Sequence, residues 1–416
     1  MKTHRHKKPS ALRARLLRFA PDLFALGALV LFGLLAALRY HLVEGEQDIG
    51  VYGAIAERAM QAMQGSDVVI ASEYPPLATV LFWFAKALIP HTNFAVPWLL
   101  LMVTSVFCTW AYLRCYSVLD ACLFAILMPL AVLLLGHDLI FSRFDLYVAI
   151  ALLLSWRTHR HGSYAESAGW LCAAVLLKAV PVLVVPFFLL TLPRRSFFSA
   201  FTGACVALIA TGILCYGVLG VDGTLSNIAY ALSYHGHRPV QIETLWSGVF
   251  MLFTMMAGGI PHTGFANMSI VNHDVPMLIA TVAKGFILAG IAVLAFQARR
   301  MRMQQQYGSL MIIVMLGALV LSPVLSPQYF VWIIPLILFY VAEKFVLKDL
   351  SFSLVASSVA TVLIAYLTQW IFPAHYQQLM GFQWSAIFAL NIRNGLMVFL
   401  FFLLLIDTGL LHLPRK

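Results

Sequence analysis

Uninterrupted apolar runs of about 20 residues constrain this chain more than any other feature; 22–42, 94–113, 351–372 and 384–408 are the plainest of them. A run of that length is what a helix needs to cross the hydrocarbon core of a bilayer, whereas a membrane barrel would show short segments of alternating polarity. With 62% hydrophobic and 11% charged residues, against roughly 25% charged in a soluble domain, the chain has too little polar surface to face water. The expected fold class is an all-α polytopic membrane protein.

The formal charge of +10 does not imply a nucleic-acid partner, because seven of the 27 basic residues lie in MKTHRHKKPSALRARLLR, directly before the first span. Such a flank orients a span with its N-terminus cytoplasmic and contacts anionic lipid. The apolar stretch from Leu23 is longer than a signal-peptide core and lacks an A-x-A exit, so it reads as an uncleaved first helix. The six cysteines, Cys108, Cys115, Cys122, Cys172, Cys205 and Cys215, sit in apolar runs without C-x-x-C pairing and read as small core residues.

Cytoplasmic loops of membrane proteins are rich in Arg and Lys. That bias is satisfied here if 77–90 lies on the outer surface as a juxtamembrane helix and the run 168–191 breaks in two at Lys178 and Pro181. The result is about twelve spans, at 22–42, 94–113, 119–137, 144–156, 165–179, 181–192, 197–219, 275–296, 309–322, 329–343, 351–372 and 384–408. Both termini are then cytoplasmic, and 246–260 forms a second outer juxtamembrane helix. Three of the spans are short, which calls for local thinning of the bilayer or burial within the bundle. The chain divides into a basic tail (1–21), a transmembrane module (22–345) with outer loop 43–93, and C-terminal transmembrane helices (346–416).

Eight basic residues escape this scheme. Arg39, Arg58, Lys86, Arg143, Lys178 and Arg238 fall at the outer surface, and Lys284 and Arg393 lie inside spans, where an unpaired charge costs about 2.5–3.5 kcal/mol near the centre. Acidic residues also concentrate outside, since Glu44 to Pro76 holds six of the 17. Retained cations beside an acidic loop point to a site for an anion. His235, His237, His262, His273 and Asp274 fall on the same side, but H-x-H spacing without a second acidic cluster is a weak metal signal, and no metal is assigned.

Four short motifs share that outer side: EYPPL (Glu73 to Leu77), SRFD (Ser142 to Asp145), YHGHRPVQIET (Tyr234 to Thr244) and LSPQYFVWIIPL (Leu325 to Leu336). Together with LKAVP (Leu177 to Pro181) and the acidic loop after the first span, they resemble the GT-C membrane glycosyltransferases, and within them glycosyltransferase family 87, the polyprenol-phosphate-mannose type. The resemblance implies an enzyme of the plasma membrane that takes a sugar, mannose first among the options, from a polyprenyl-phosphate carrier. It passes the sugar, with inversion, to a hydroxyl of a lipid or glycan acceptor on the outer face. It also implies that an acid of the first outer loop acts as base. Asp48 is the matching position, with Glu46 and Glu44 as neighbours that leave the choice open.

The chemistry agrees with this without the name. A lipid phosphate leaves as a stable anion, so the reaction needs a base for the acceptor hydroxyl and cations for the phosphate, but no cofactor beyond the lipid-linked donor. Asp48 suits the base, since a solvated aspartate near its usual pKa of about 3.9 is already ionised at neutral pH. Arg143, Lys178 and Arg238 suit the phosphate. Glu73, Tyr74, Asp145, His237, Gln241, Glu243, Gln328 and Tyr329 are candidates for sugar or acceptor contacts, with Trp332 beside Tyr329 able to face the sugar or the first prenyl units.

Plainer readings stand beside these. Arg143 and Asp145 suit a structural salt bridge at a helix start, Lys178 suits a side chain that snorkels to the interface, and Tyr329 and Trp332 suit a belt of interfacial aromatics. A secondary transporter or lipid flippase shares broken helices and buried cations, but no internal repeat is visible and the polar residues gather on one face. No oligomeric state follows from the residues.

Overall fold

The computed structural model describes residues 11–42, 47–64, 72–236, 240–258, 263–264, 269–270, 275–301, 306–349 and 351–411. Glu44, Glu46, His237 and Arg238 lie outside the described residues, as do His262, His273 and Asp274. The helices in chain order begin with α1 (Ala11–Leu42), α2 (Gln47–Met63), α3 (Pro76–Leu88), α4 (Ala95–Tyr116), α5 (Val118–Leu135) and α6 (His137–Phe141). There follow α7 (Asp145–Arg160), α8 (Tyr164–Leu177), α9 (Val185–Thr191), α10 (Phe197–Gly236), α11 (Leu245–Met256) and α12 (Val275–Arg300). The chain continues through α13 (Tyr307–Leu321), α14 (Phe330–Val346), α15 (Phe352–Gln369), α16 (Tyr376–Met380) and α17 (Trp384–Asp407). Apart from a two-residue pairing of Thr263–Gly264 with Ser269–Ile270, the described residues contain no strand. The protein is an all-α polytopic membrane protein.

Among the described residues eight helical segments, in α1, α4, α5, α10, α12, α14, α15 and α17, are long and apolar enough to cross a bilayer. The other four expected spans fall on α7, α8, α9 and α13, all shorter. Burial accounts for two of them. All of α7 from Asp145 to His159 except Tyr147 is buried, and α13 is buried along nearly its whole length, so neither has to match a lipid thickness. The perimeter is different. Only 17% of the most apolar window of α10 and 11% of that of α12 are buried, as suits helices that face hydrocarbon.

The expected break is present. Helix α8 stops at Leu177, Lys178 is extended at φ −156°, and Pro181 sits near the start of a 3₁₀ turn, Val180–Val184, that leads into α9. The 43–93 stretch contains α2, which was not expected, as well as the expected helix over 77–90, here α3; α3 starts on Pro76, where the missing N–H costs nothing. Helix α10 runs past its expected end at 219, turning at Gly220 (φ 69°), a left-handed conformation that a side chain would resist. Its second half packs on α2 and α3, and Asn227 Nδ2 donates to the Ser72 carbonyl at 3.3 Å.

At the C-terminal end of α7 a dense ion network ties the bundle together. Arg157 is 2% exposed; its Nε and Nη2 donate to Asp120 at 3.0 and 2.6 Å, and its Nη1 donates to Glu343 Oε1 at 2.9 Å. Arg160 adds a second bond to Glu343, and His161 Nε2 lies 3.0 Å from Asp120 Oδ2. Asp120 is in the first turn of α5, where the Ser117 side chain caps the helix. Helix α7 thus joins α5 and α14 at this end. At about 1.5 Å per residue, Asp145 lies roughly 22 Å away at the other.

Candidate active site at the start of α7

Two ion pairs meet where α7 begins. Asp145 is wholly buried in the first turn of the helix, where the backbone dipole favours a negative charge. Its Oδ1 accepts from Lys178 Nζ at 2.6 Å and from Trp332 Nε1 at 2.5 Å, while Oδ2 accepts no hydrogen bond from the described residues. Asp48, in the first turn of α2, pairs with Arg143. The salt bridge expected within SRFD is therefore replaced by two longer-range pairs: Arg143 reaches across to α2, and Asp145 turns inward to the α8 break.

Lys178 is held in an aromatic box, its Nζ 4.9 Å from the centroid of Phe144, 4.9 Å from Tyr329 and 4.6 Å from Trp332. Tyr329 and Trp332 stack at 4.4 Å and are 8% and 0% exposed, so they belong to this box and not to an interfacial belt. Nor does Lys178 snorkel to the surface, being 9% exposed. Gln328 lies beside them in the 3₁₀ turn Pro327–Tyr329 and is half-buried.

Asp48 departs from the expectation of a solvated loop carboxylate. Its side chain is 30% exposed, and burial raises its pKa above the usual value; Arg143 opposes the rise, and the charges of Asp145 and Glu73 add to it. Glu73 is half-buried and its carbonyl lies 3.2 Å from His235 Nε2 at the end of α10. Next to it, Tyr74 is 8% exposed and packs edge-on against Tyr52, Phe82 and Phe144. Tyr52 stacks on Phe82 at 4.3 Å. Reading the sequence missed Tyr52, although it stands four residues after Asp48 and so shares its face once α2 is known to be helical.

Gln241 and Glu243 follow the two undescribed positions of the RPVQIE motif. The Gln241 N–H donates to the Pro323 carbonyl at 2.9 Å, docking this loop on the segment before α14, and its buried Oε1 has no partner among the described residues. Glu243 has a different partner from the one expected. Its Oε2 accepts from Arg393 Nη1 at 2.8 Å, and its carbonyl from Arg393 Nη2 at 2.7 Å and Asn394 Nδ2 at 3.3 Å. With Arg393 wholly buried and Glu243 3% exposed, this is an internal pair that braces the loop from α17. Two of the cations that look misplaced in the sequence thereby find structural partners: Arg393 here, and Lys86 with Glu57 at 3.6 Å.

The family model for glycosyltransferase family 87 matches residues 73–327, more than half of the chain. The chain belongs to that family. Neither a curated protein nor a solved structure matches it. As a family 87 glycosyltransferase it carries Glu73, Arg143, Asp145, Lys178 and Gln241 within the matched stretch, while Asp48 lies before it and Tyr329 and Trp332 just after. Among the described residues of this glycosyltransferase no cluster of three or more His, Cys, Asp or Glu side chains is arranged to hold a metal ion.

Proposed function

We propose that this glycosyltransferase moves a sugar, with mannose the first candidate, from a polyprenyl-phosphate carrier to a hydroxyl of a lipid or glycan acceptor at the outer face of the plasma membrane. The observation that carries the reading is the meeting of Asp48–Arg143 with Lys178–Asp145 among the aromatic rings of Phe144, Tyr329 and Trp332. The acceptor oxygen attacks the anomeric carbon from the face opposite the carrier, so the configuration inverts. Its proton passes to the Asp48 carboxylate as the bond from the anomeric carbon to the phosphate oxygen breaks. The phosphate goes from one negative charge to two in that step, and Arg143 and Lys178 stabilise the added charge where it develops. Arg143 binds as a two-pronged donor and Lys178 as a point charge, and Arg238 is proposed as a third cation for the same group. Tyr74, His237, Gln241 and Gln328 supply polar contacts to the sugar and acceptor.

In this reading a raised pKa makes Asp48 a better proton acceptor than a solvated aspartate, provided it remains ionised before the acceptor arrives. Replacing Asp48 with Asn keeps the side chain's size and removes the acceptor, so kcat should fall at least about 100-fold with donor binding preserved. The measurement is transfer of radiolabelled sugar from polyprenyl phosphate to membrane lipid by purified protein. Near-normal turnover in Asp48→Asn together with loss in Glu46→Gln would move the base two residues upstream.

A further inference from the structure

Two buried polar atoms near the start of α7 have no hydrogen-bond partner among the described residues: the Tyr52 hydroxyl and Asp145 Oδ2. Both residues are wholly buried. Unpaired buried polar groups are costly and rare, so two of them at one candidate site call for a cause. They are also complementary in kind, since a phenol has a proton to give and a carboxylate oxygen only accepts.

The Tyr52 ring is clamped where it stands. It lies flat on Phe82, meets Tyr74 and Phe144 edge-on at 5.6 and 6.0 Å, and tilts against Trp98 at 5.5 Å. Phe144 directly precedes Asp145, and its backbone N–H is close enough to weigh on the Tyr52 hydroxyl without forming a hydrogen bond to it. Burial raises the phenol's pKa far above its usual value; Arg143 opposes the rise, and Asp145 and Asp48 add to it. The proton therefore stays on the oxygen, within the field of all three charged groups. Asp48 and Arg143, with side chains 30% and 15% exposed, lie nearer to solvent than the two unpartnered atoms.

One substrate hydroxyl answers both atoms at once, donating to Asp145 Oδ2 and accepting from Tyr52. A phosphate oxygen suits the phenol alone, because the carboxylate repels it. We propose that Tyr52 and Asp145 together bind one hydroxyl of the transferred sugar, which makes Tyr52 a specificity-determining residue. The proposal rests on the carrier-dependent reading above, in which Asp48 takes the acceptor's proton and the phosphate draws Arg143. As Arg143 turns from Asp48 to the phosphate it uncovers the inner pair, and the sugar is the part of the substrate left to fill it. A sugar without that hydroxyl strands two buried polar groups and is rejected for that reason.

The test pairs the unaltered protein and Tyr52→Phe, which keeps the ring contacts, with donors carrying the full sugar or deoxy analogues that each lack one ring hydroxyl. In the unaltered protein one analogue should lose kcat/KM on the order of 1000-fold relative to the full sugar, and the others far less. In Tyr52→Phe that ratio should shrink at least about tenfold, because the missing sugar hydroxyl no longer strands a phenol. Each ratio is taken within one variant, so a smaller folded fraction leaves it unchanged. Discrimination below about tenfold at every position, as expected if a trapped water serves both atoms, would overturn the subsite alone. A ratio that Tyr52→Phe leaves unaltered would do the same. Absence of transfer from any unmodified polyprenyl-phosphate sugar by the unaltered protein would overturn the carrier reading and the subsite together.

Discussion

The two ends of α7 carry buried charges of similar density and opposite character. At the Arg157 end three guanidinium nitrogens are bonded to two carboxylates, and Arg160 and His161 each add a further contact to one of them. At the Asp145 end the pairs are incomplete: Asp145 Oδ2 accepts nothing from the described residues, and the Asp48–Arg143 pair remains partly open to solvent. A cluster whose cation is fully engaged by carboxylates holds helices together. An incomplete one leaves a buried carboxylate oxygen without a partner among the described residues, at a cost in stability that a binding site repays when it is filled.

That contrast can be broken by substitution. Arg157→Met strips Asp120 and Glu343 of their buried partner and should cost about 3–5 kcal/mol, read as a large drop in thermal stability in detergent. Arg157→Lys, which keeps the charge but loses the two-pronged geometry, should cost less. Turnover per folded molecule should survive both changes; its loss at unchanged stability would make the Arg157 end part of the site.

Lys178→Gln should act the other way, lowering kcat/KM for the donor about 100-fold if the ammonium meets the phosphate as charge develops. The same change leaves Asp145 without its counter-charge, so the double variant Lys178→Gln, Asp145→Asn separates the effects: stability should recover and turnover should not. Recovery of both would reduce Lys178 to a structural cation.

The smallest expected effect is a shift along the pH axis. Asp48 must be deprotonated to accept a proton, so activity rises with pH through its pKa, and Arg143 holds that pKa lower than burial alone would set it. Arg143→Gln should therefore move the acid limb of the pH–rate profile to higher pH, in addition to any loss of rate. An unmoved limb would show that the group titrating in the profile is not Asp48.

How far the sequence could reveal this site depends on how far apart its parts lie in the chain. The lipid-facing helices are plain because each apolar run is its own signal, and the break at Lys178 is plain because Pro181 cannot continue a helix. Cations on the unexpected side of the charge rule led to Arg143 and Lys178, which the fold does bring together. The same rule misread Arg393, because its partner Glu243 is 150 residues away and no local pattern joins them. Helix α2 was hidden by its acidic neighbours, although Tyr52, Ile55, Ala56 and Ala59 all turn to the core at helical spacing. The burial that shifts Asp48 is a product of tertiary packing, and the residue's own surroundings in the chain gave no sign of it.

The tie between Glu243 and Arg393 has a mechanical consequence. The loop from Gln241 to Thr244 is fastened to the last long helix by Arg393 and Asn394, and Asn391 Nδ2 reaches the Gly248 carbonyl at 3.1 Å just beyond it. That loop cannot swing like a free lid unless α17 travels with it or the bonds are broken. A chain cut after α14 would retain the whole family-matched stretch, yet it would leave the buried Glu243 carboxylate with no counter-charge. The smallest unit able to work on its own therefore extends some 80 residues beyond position 327, as far as Asp407.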